Sequence, residues 1–407
     1  MARITSTPTS LTVSYSPSWL PSKGSWGQVS QPASVPKGRL DRIVAGDFPG
    51  TPFRDTRNMG IGGFSNNYLG AIWNPFWGNF GAWVIWGGGH TAGLKPGMLD
   101  TSVYIWEADT RLWARLSDPV YPGEISTTTF NTYYDSNAAI PEEPLKTYGE
   151  LTANANDGFT PAAAHTYWKP VIMPPGRFGS GAKGGLVITT LAGFHQGGNT
   201  LSNQAHMFDF VTRKWTRIGN LDSDGGAAAC IDSDGNLYKR SGKAFRRLVE
   251  GGSTWTAMKS YSLNIGPLGW EPSNNLLVSL ITNSSPLLHI VDLNDPAFTL
   301  YTPGLIGTPA LPANVQSWGL TWCGPLNGFA TFFPLTSQVF VLRRPTLPKS
   351  QPWEWLQLSA RNSPTLTNDG LNWYYNRFQY APALNAFFVS YDLTRDGMWC
   401  FRPSDNI

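Results

Sequence analysis

The sequence predicts an all-β fold, a single six-bladed β-propeller whose ring is closed by an N-terminal strand, with seven blades as the alternative count. Three observations lead there. Thr110-Arg111-Leu112-Trp113-Ala114-Arg115 reappears as Thr212-Arg213-Lys214-Trp215-Thr216-Arg217, each copy joining one apolar run to a second run led by Trp. A turn of one kind also recurs: an apolar run stops at Pro75, Pro174-Pro175, Pro272, Pro325 or Pro382, or at Asp232 to Asn236, and resumes a few residues later. Proline presets φ for such a turn and is excluded from a central strand, and Asp-Gly favours a tight hairpin. The third observation is composition: 43 Gly, 32 Pro and 18 Trp in 407 residues, with charged residues at 14%. That profile suits many short strands, and no sustained 3.6-residue apolar stripe supports helices. Length alone suggests two or three domains, but a repeat fold escapes that limit because each unit packs on its neighbours.

Blade one is expected over 57–118, with the glycine-rich strand 81–89 and an outer strand led by Trp113. Blade two, 158–221, repeats that plan with 185–193 and Trp215. Blade three, 225–260, is short and turns at Asp232-Ser233-Asp234-Gly235. Blades four (261–303) and five (314–360) carry the Pro272 and Pro325 turns. The last blade, 370–403, supplies only three strands: Asn372 to Gln379, Ala386 to Tyr391, and Met398 to Arg402. Its missing outer strand is assigned to 24–30, led by Trp26, so that the two chain ends share one sheet and no sheet edge is left open. The chain then divides into an extended N-terminal arm (1–23), the propeller (24–403) and a short tail (404–407). Trp113 and Trp215 are expected to cover the gaps between blades, each Trp→Ala change costing about 3–5 kcal/mol. Most of the tryptophans are accordingly read as packing units. Cys230, Cys323 and Cys400 lie in apolar runs placed in B, A and C strands respectively, and are expected to be buried free thiols.

The Gly87-Gly88-Gly89 strand end, the Tyr104-Ile105-Trp106 strand and the Trp-led outer strand resemble kelch repeats, the unit of kelch-type and galactose-oxidase-like propellers. The likeness covers about 24–403 and is strongest in blades one and two. It implies the fold; a galactose-oxidase-like activity would further need copper held by two His and two Tyr, with one Tyr cross-linked to Cys. That set cannot be assembled from these residues. No nucleophile elbow and no glycine-rich phosphate loop occurs, so no catalytic residue and no cofactor is expected. No metal is expected either. Asp222-Ser223-Asp224 and Asp232-Ser233-Asp234 lack the remaining ligands of a calcium loop.

In a propeller the D-to-A and B-to-C connections leave one side of the ring, and the A-to-B and C-to-D connections leave the other. This places His90, His165, His195, Asn66, Asn67, Tyr68, Trp318, Trp373 and Tyr374 on the first side, together with the longest insertions, 33–56 and 119–157. Long loops on a rigid scaffold commonly carry recognition. These residues form the expected ligand or partner face; the competing reading has the histidines capping strand ends near the axis. A net charge of +3, clustered only at Lys239-Arg240, Lys243, Arg246-Arg247 and Arg343-Arg344, leaves no nucleic-acid stripe. No apolar run reaches the ~20 residues of a membrane span, and residues 1–25 lack a signal-peptide core. The expectation is synthesis in the cytoplasm and a non-catalytic binding or assembly protein, such as a structural or receptor-binding part of a phage virion. The arm would dock on protein partners, and a surface glycan is a further ligand. A stand-alone carbohydrate-binding propeller and a glycan-active enzyme are the alternatives.

Overall fold

A computed structural model describes residues 16–31, 70–86, 103–117, 166, 168–189, 205–219, 226–241, 244–260, 266–281, 286–307, 319–334, 336–366, 375–390, 393 and 396–404. These residues form six antiparallel sheets, not seven, and the fold is a β-propeller. The first strand, β1 (Ser25–Ser30), belongs to the last blade. Blade 1 is β2 (Ala71–Asn74), β3 (Ala82–Trp86), β4 (Val103–Glu107) and β5 (Leu112–Arg115). Blade 2 is β6 (Val171–Met173), β7 (Gly185–Ile188), β8 (Ala205–Asp209) and β9 (Lys214–Gly219). Blade 3 is β10 (Gly226–Ile231), β11 (Leu237–Ser241), β12 (Ala244–Leu248) and β13 (Thr256–Ser260). Blade 4 is β14 (Leu268–Glu271), β15 (Leu276–Ile281), β16 (Leu287–Asp292) and β17 (Leu300–Tyr301).

Blade 5 holds β19 (Thr321–Cys323), β20 (Gly328–Phe333), β21 (Gln338–Arg343) and β22 (Trp353–Leu358). It also gains a fifth strand that the sequence did not suggest: β18 (Leu305–Ile306) lies parallel to β22 and covers its outer edge. Blade 6 is β23 (Phe378–Ala381), β24 (Ala386–Ser390), β25 (Met398–Arg402) and, outermost, β1.

The inner strands, A, touch their neighbours all the way round, β2 to β6, β10, β14, β19, β23 and back to β2. The seam is held by the strand the sequence assigned to it. Trp26 pairs with Phe401 and Ser25 with Arg402. Asn362 clamps the outer edge of β1: its Oδ1 accepts from the Trp26 amide at 2.8 Å and its Nδ2 donates to the Trp26 carbonyl at 3.0 Å. Residues before β1 also lie on the ring, since the Trp19 indole meets Trp106 edge-on at 5.9 Å.

Two predicted boundaries shift. The inner strand of blade 6 is Phe378–Ala381, later than Asn372 to Gln379, because Tyr375 and Asn376 turn across the axis instead of joining the sheet. Cys230 sits in the inner strand β10, not in a B strand, since blade 3 begins with that strand and the Asp232 turn follows it. All three cysteines are buried and free.

The apolar core divides into six clusters, one at each blade-to-blade interface. This is the packing that repeat units require: each sheet buries one face on the blade before and one on the blade after. Trp215 opens strand D of blade 2 and packs on Trp86 of blade 1 at 5.3 Å. Trp26 does the same for blade 6 on Phe332 of blade 5, at 5.2 Å. Trp113 is only half-buried, and its indole N–H donates to Ser30 Oγ of blade 6 at 2.9 Å. At the closing interface Trp73 stacks on Phe388 at 4.5 Å. No described Trp is exposed, as the packing reading requires.

Candidate functional site

The strand order fixes which side each connection leaves, whatever path the connection takes. Residues 31–70 and 116–170 run from a D strand to an A strand, and 87–102 and 189–204 from a B strand to a C strand. All four leave the same side of the ring and adjoin blades 1 and 2. On the other side the A-to-B links (75–81, 174–184, 232–236, 272–275, 324–327, 382–385) and the C-to-D links are short. The residues assigned from sequence to the binding face, His90, His165, His195, Asn66, Asn67, Tyr68, Trp318, Trp373 and Tyr374, lie outside the described residues.

What is described on that side is the end of the axis, and it is closed. Thr166 Oγ1 accepts from the Gly70 amide of blade 1 at 2.7 Å. Trp168 forms a parallel bridge to Ala228 of blade 3, its carbonyl accepting from the Ala229 amide at 3.0 Å. The Trp168 ring meets Tyr375, from the start of blade 6, edge-on at 4.9 Å. Both rings belong to the cluster formed by blades 3 and 4, so they fill the axis at this end.

Cations gather around this plug. Lys169, Lys239, Arg240 and Arg377 are all buried, at 1% exposure or less. Burial, reinforced by nearby Lys239, pulls the Lys169 amine down to about 7. Arg240 donates to Ser279 Oγ of blade 4. His289, also buried, is lowered to about 4 by burial and by the charge of Arg240. A neutral imidazole of this kind is a strand-packing residue in the described structure, not a proton shuttle open to solvent.

Below the plug lies an axial cavity of about 350 Å³. It runs from Pro170, Leu320 and Asn376 to the A-to-B turns at Pro75, Phe76, Pro174 and Ser233, and takes residues from every blade. Its walls are mainly apolar: Ile72, Ile172, Ile231, Trp270 and Trp322, with Phe76 at the rim. Two of these rings are fixed in place. Trp270 Nε1 donates to Asn275 Oδ1 at 2.9 Å, and Trp322 packs edge-on against Phe329 at 5.1 Å. Asp232 is the charged residue of the lining, and its carboxylate is already occupied by the amides of Asp234 and Asn236, the Asn236 side chain and the Tyr238 hydroxyl.

The sequence did not single out Trp270, Trp322, Asn376 or Gln379. A signal was present: Trp270 and Trp322 each stand just ahead of a Pro turn, hence on an inner strand beside the axis. Among the described residues no group of three or more His, Cys, Asp or Glu side chains is placed to hold a metal ion. Among them, too, no helix is long and apolar enough to cross a membrane.

Neither a protein-family profile nor a curated protein sequence matches the chain. Among solved structures it is similar to a structural-genomics protein of unknown function from Bacteroides thetaiotaomicron. Identity is 11%, over 83% of this chain and 69% of that one, with a TM-score of 0.43. The assignment of the fold rests on the strand pairings themselves.

Proposed function

We propose that the chain is a non-catalytic binding and assembly protein, a kelch-type propeller that recognises its partner through the connections on the D-to-A side of blades 1 and 2. One observation carries this reading. Every long connection adjoining those blades leaves that side, over a ring end plugged by Trp168 and Tyr375 and therefore rigid. A structural or receptor-binding component of a phage virion, or of a similarly large particle, fits such a surface best, with the Ser/Thr/Pro-rich segment 1–15 as the docking arm.

The test uses three proteins: the full chain, a chain with 119–164 replaced by a short Gly-Ser linker, and a chain lacking 1–15. Each is screened on glycan and cell-surface arrays and for co-sedimentation with a particle. The full chain is expected to bind saturably, the linker variant to lose recognition at unchanged melting temperature, and the arm-less chain to lose particle association alone. Turnover on an alcohol or glycan panel, with no saturable binding by the full chain, would overturn the proposal.

A further inference from the structure

The proposed recognition side leaves the axial cavity unused, because the cavity opens on the opposite side. Its chemistry selects an occupant. The volume, about 350 Å³, falls within the range of small-molecule sites. Ile72, Ile231, Trp270 and Trp322 are half-buried in its wall, whereas the residues beside them in the same inner strands, Ala71, Trp73, Cys230 and Cys323 among them, are buried. Apolar surface that stays wet in a concave wall gains about 25 cal/mol per Å² when a ligand covers it.

The walls need little rearrangement to do so. The Trp270 and Trp322 rings stand on adjacent blades and are held by the Asn275 hydrogen bond and the Phe329 contact. At the deep end, Gln379 Nε2 donates to the Asn376 backbone carbonyl at 2.8 Å, which fixes the Gln379 side chain, while Asn376 Oδ1 is buried without a hydrogen-bond partner. A charged ligand finds no counterpart. The Asp232 carboxylate is taken up by its own turn, and its charge disfavours an anion.

We infer that the axial cavity is a binding site for one small, uncharged aromatic molecule, entering from the A-to-B side and held between Trp270 and Trp322 above the Asn376–Gln379 floor. The two indoles in the wall suit a planar aromatic ring, and a volume of about 350 Å³ admits one such molecule per chain. This inference is independent of the recognition face.

The probe is N-phenyl-1-naphthylamine, a neutral aromatic amine that fluoresces on leaving water, titrated into the full-length protein with calorimetry as a second readout. Saturable binding at one per chain is expected, with Kd of about 10 μM or tighter. Ile231→Trp and Ile72→Trp, which fill the cavity from two different blades, are each expected to weaken it at least about tenfold. Leu347→Ser, an exposed change on the same side of the ring, leaves it unaltered. Replacing 119–164 leaves it unaltered as well, which separates this site from the recognition face. Melting curves identify a filling variant that fails to fold, and the other then decides. No saturable binding, or equal binding by both correctly folded filling variants, would overturn the inference.

Discussion

On one side of the ring every described connection is short, and each A-to-B link reaches the next strand through a left-handed residue: Gly81, Gly184, Gly235, Asn275, Asn327 and Asn385, with φ between 43° and 101°. The other side carries 31–70, 87–102, 116–170 and 189–204. The difference teaches where the information for folding is stored. The turn side is specified locally, since Gly and Asn tolerate positive φ where other residues pay about 1–2 kcal/mol. The shared Thr-Arg sequence marks a second kind of turn, C to D, in which Arg111 and Arg213 adopt φ near 60° despite that cost and their backbone amides donate to the Glu107 and Asp209 backbone carbonyls, at 2.7 and 2.8 Å. The four long connections share no such turn sequence.

Changes near the turn side should therefore cost stability, and changes among the long connections should not. The largest loss is expected for Trp215→Ala, about 3–5 kcal/mol by urea unfolding, because the ring is fully buried between two blades. Trp113→Ala should cost less, about 1–3 kcal/mol, because that indole is half-buried and gives up mainly the Ser30 hydrogen bond. Equal losses would mean that the closing seam is packed like an ordinary interface. Next come Asn327→Ala and Asn385→Ala, each expected to be about 1–2 kcal/mol less stable than the matching Gly variant, which loses the same side-chain bonds with Arg344 or from Tyr380. If Ala and Gly behave alike, positive φ is not what sets these turns.

Two buried bases on the long-connection side sharpen the comparison through pH. The folded-state pKa of His289 lies below its unfolded value of 6.5, so the unfolded chain binds the proton first. Its stabilising contribution is lost as pH falls from 6.5 towards 4, and His289→Gln should flatten that part of the profile. By the same sign, Lys169 loses stability as pH falls from 10.5 towards 7, and Lys169→Met should remove that slope. The smallest effect on melting, within about 2 °C, is expected for replacing 119–164 by a linker.

Much of this was legible in the sequence because the fold is repetitive. The six Pro or Asp-Gly turns, Trp26 as the borrowed outer strand and the inter-blade role of Trp215 all follow from local residue chemistry. The unequal burial of Trp113 and Trp215 was not legible, because identical motifs meet different neighbours across different interfaces. Nor was the axial plug. Trp168 and Tyr375 lie far apart in sequence, and only closure of the ring brings them together. Pairing of Leu305 with Trp353 was hidden for a simpler reason: two residues are too few to make a strand pattern. The binding-face residues, from Asn66 to Tyr374, lie outside the described residues.

The closed ring is tested most directly by removing its seal. A chain lacking 1–15 should melt in one transition at the temperature of the full chain. A chain lacking 1–31 loses β1, the Asn362 clamp and Trp19, and should melt at least about 10 °C lower or unfold without a single cooperative transition. A 1–31 deletion that melts like the full chain would contradict closure by the N-terminal strand.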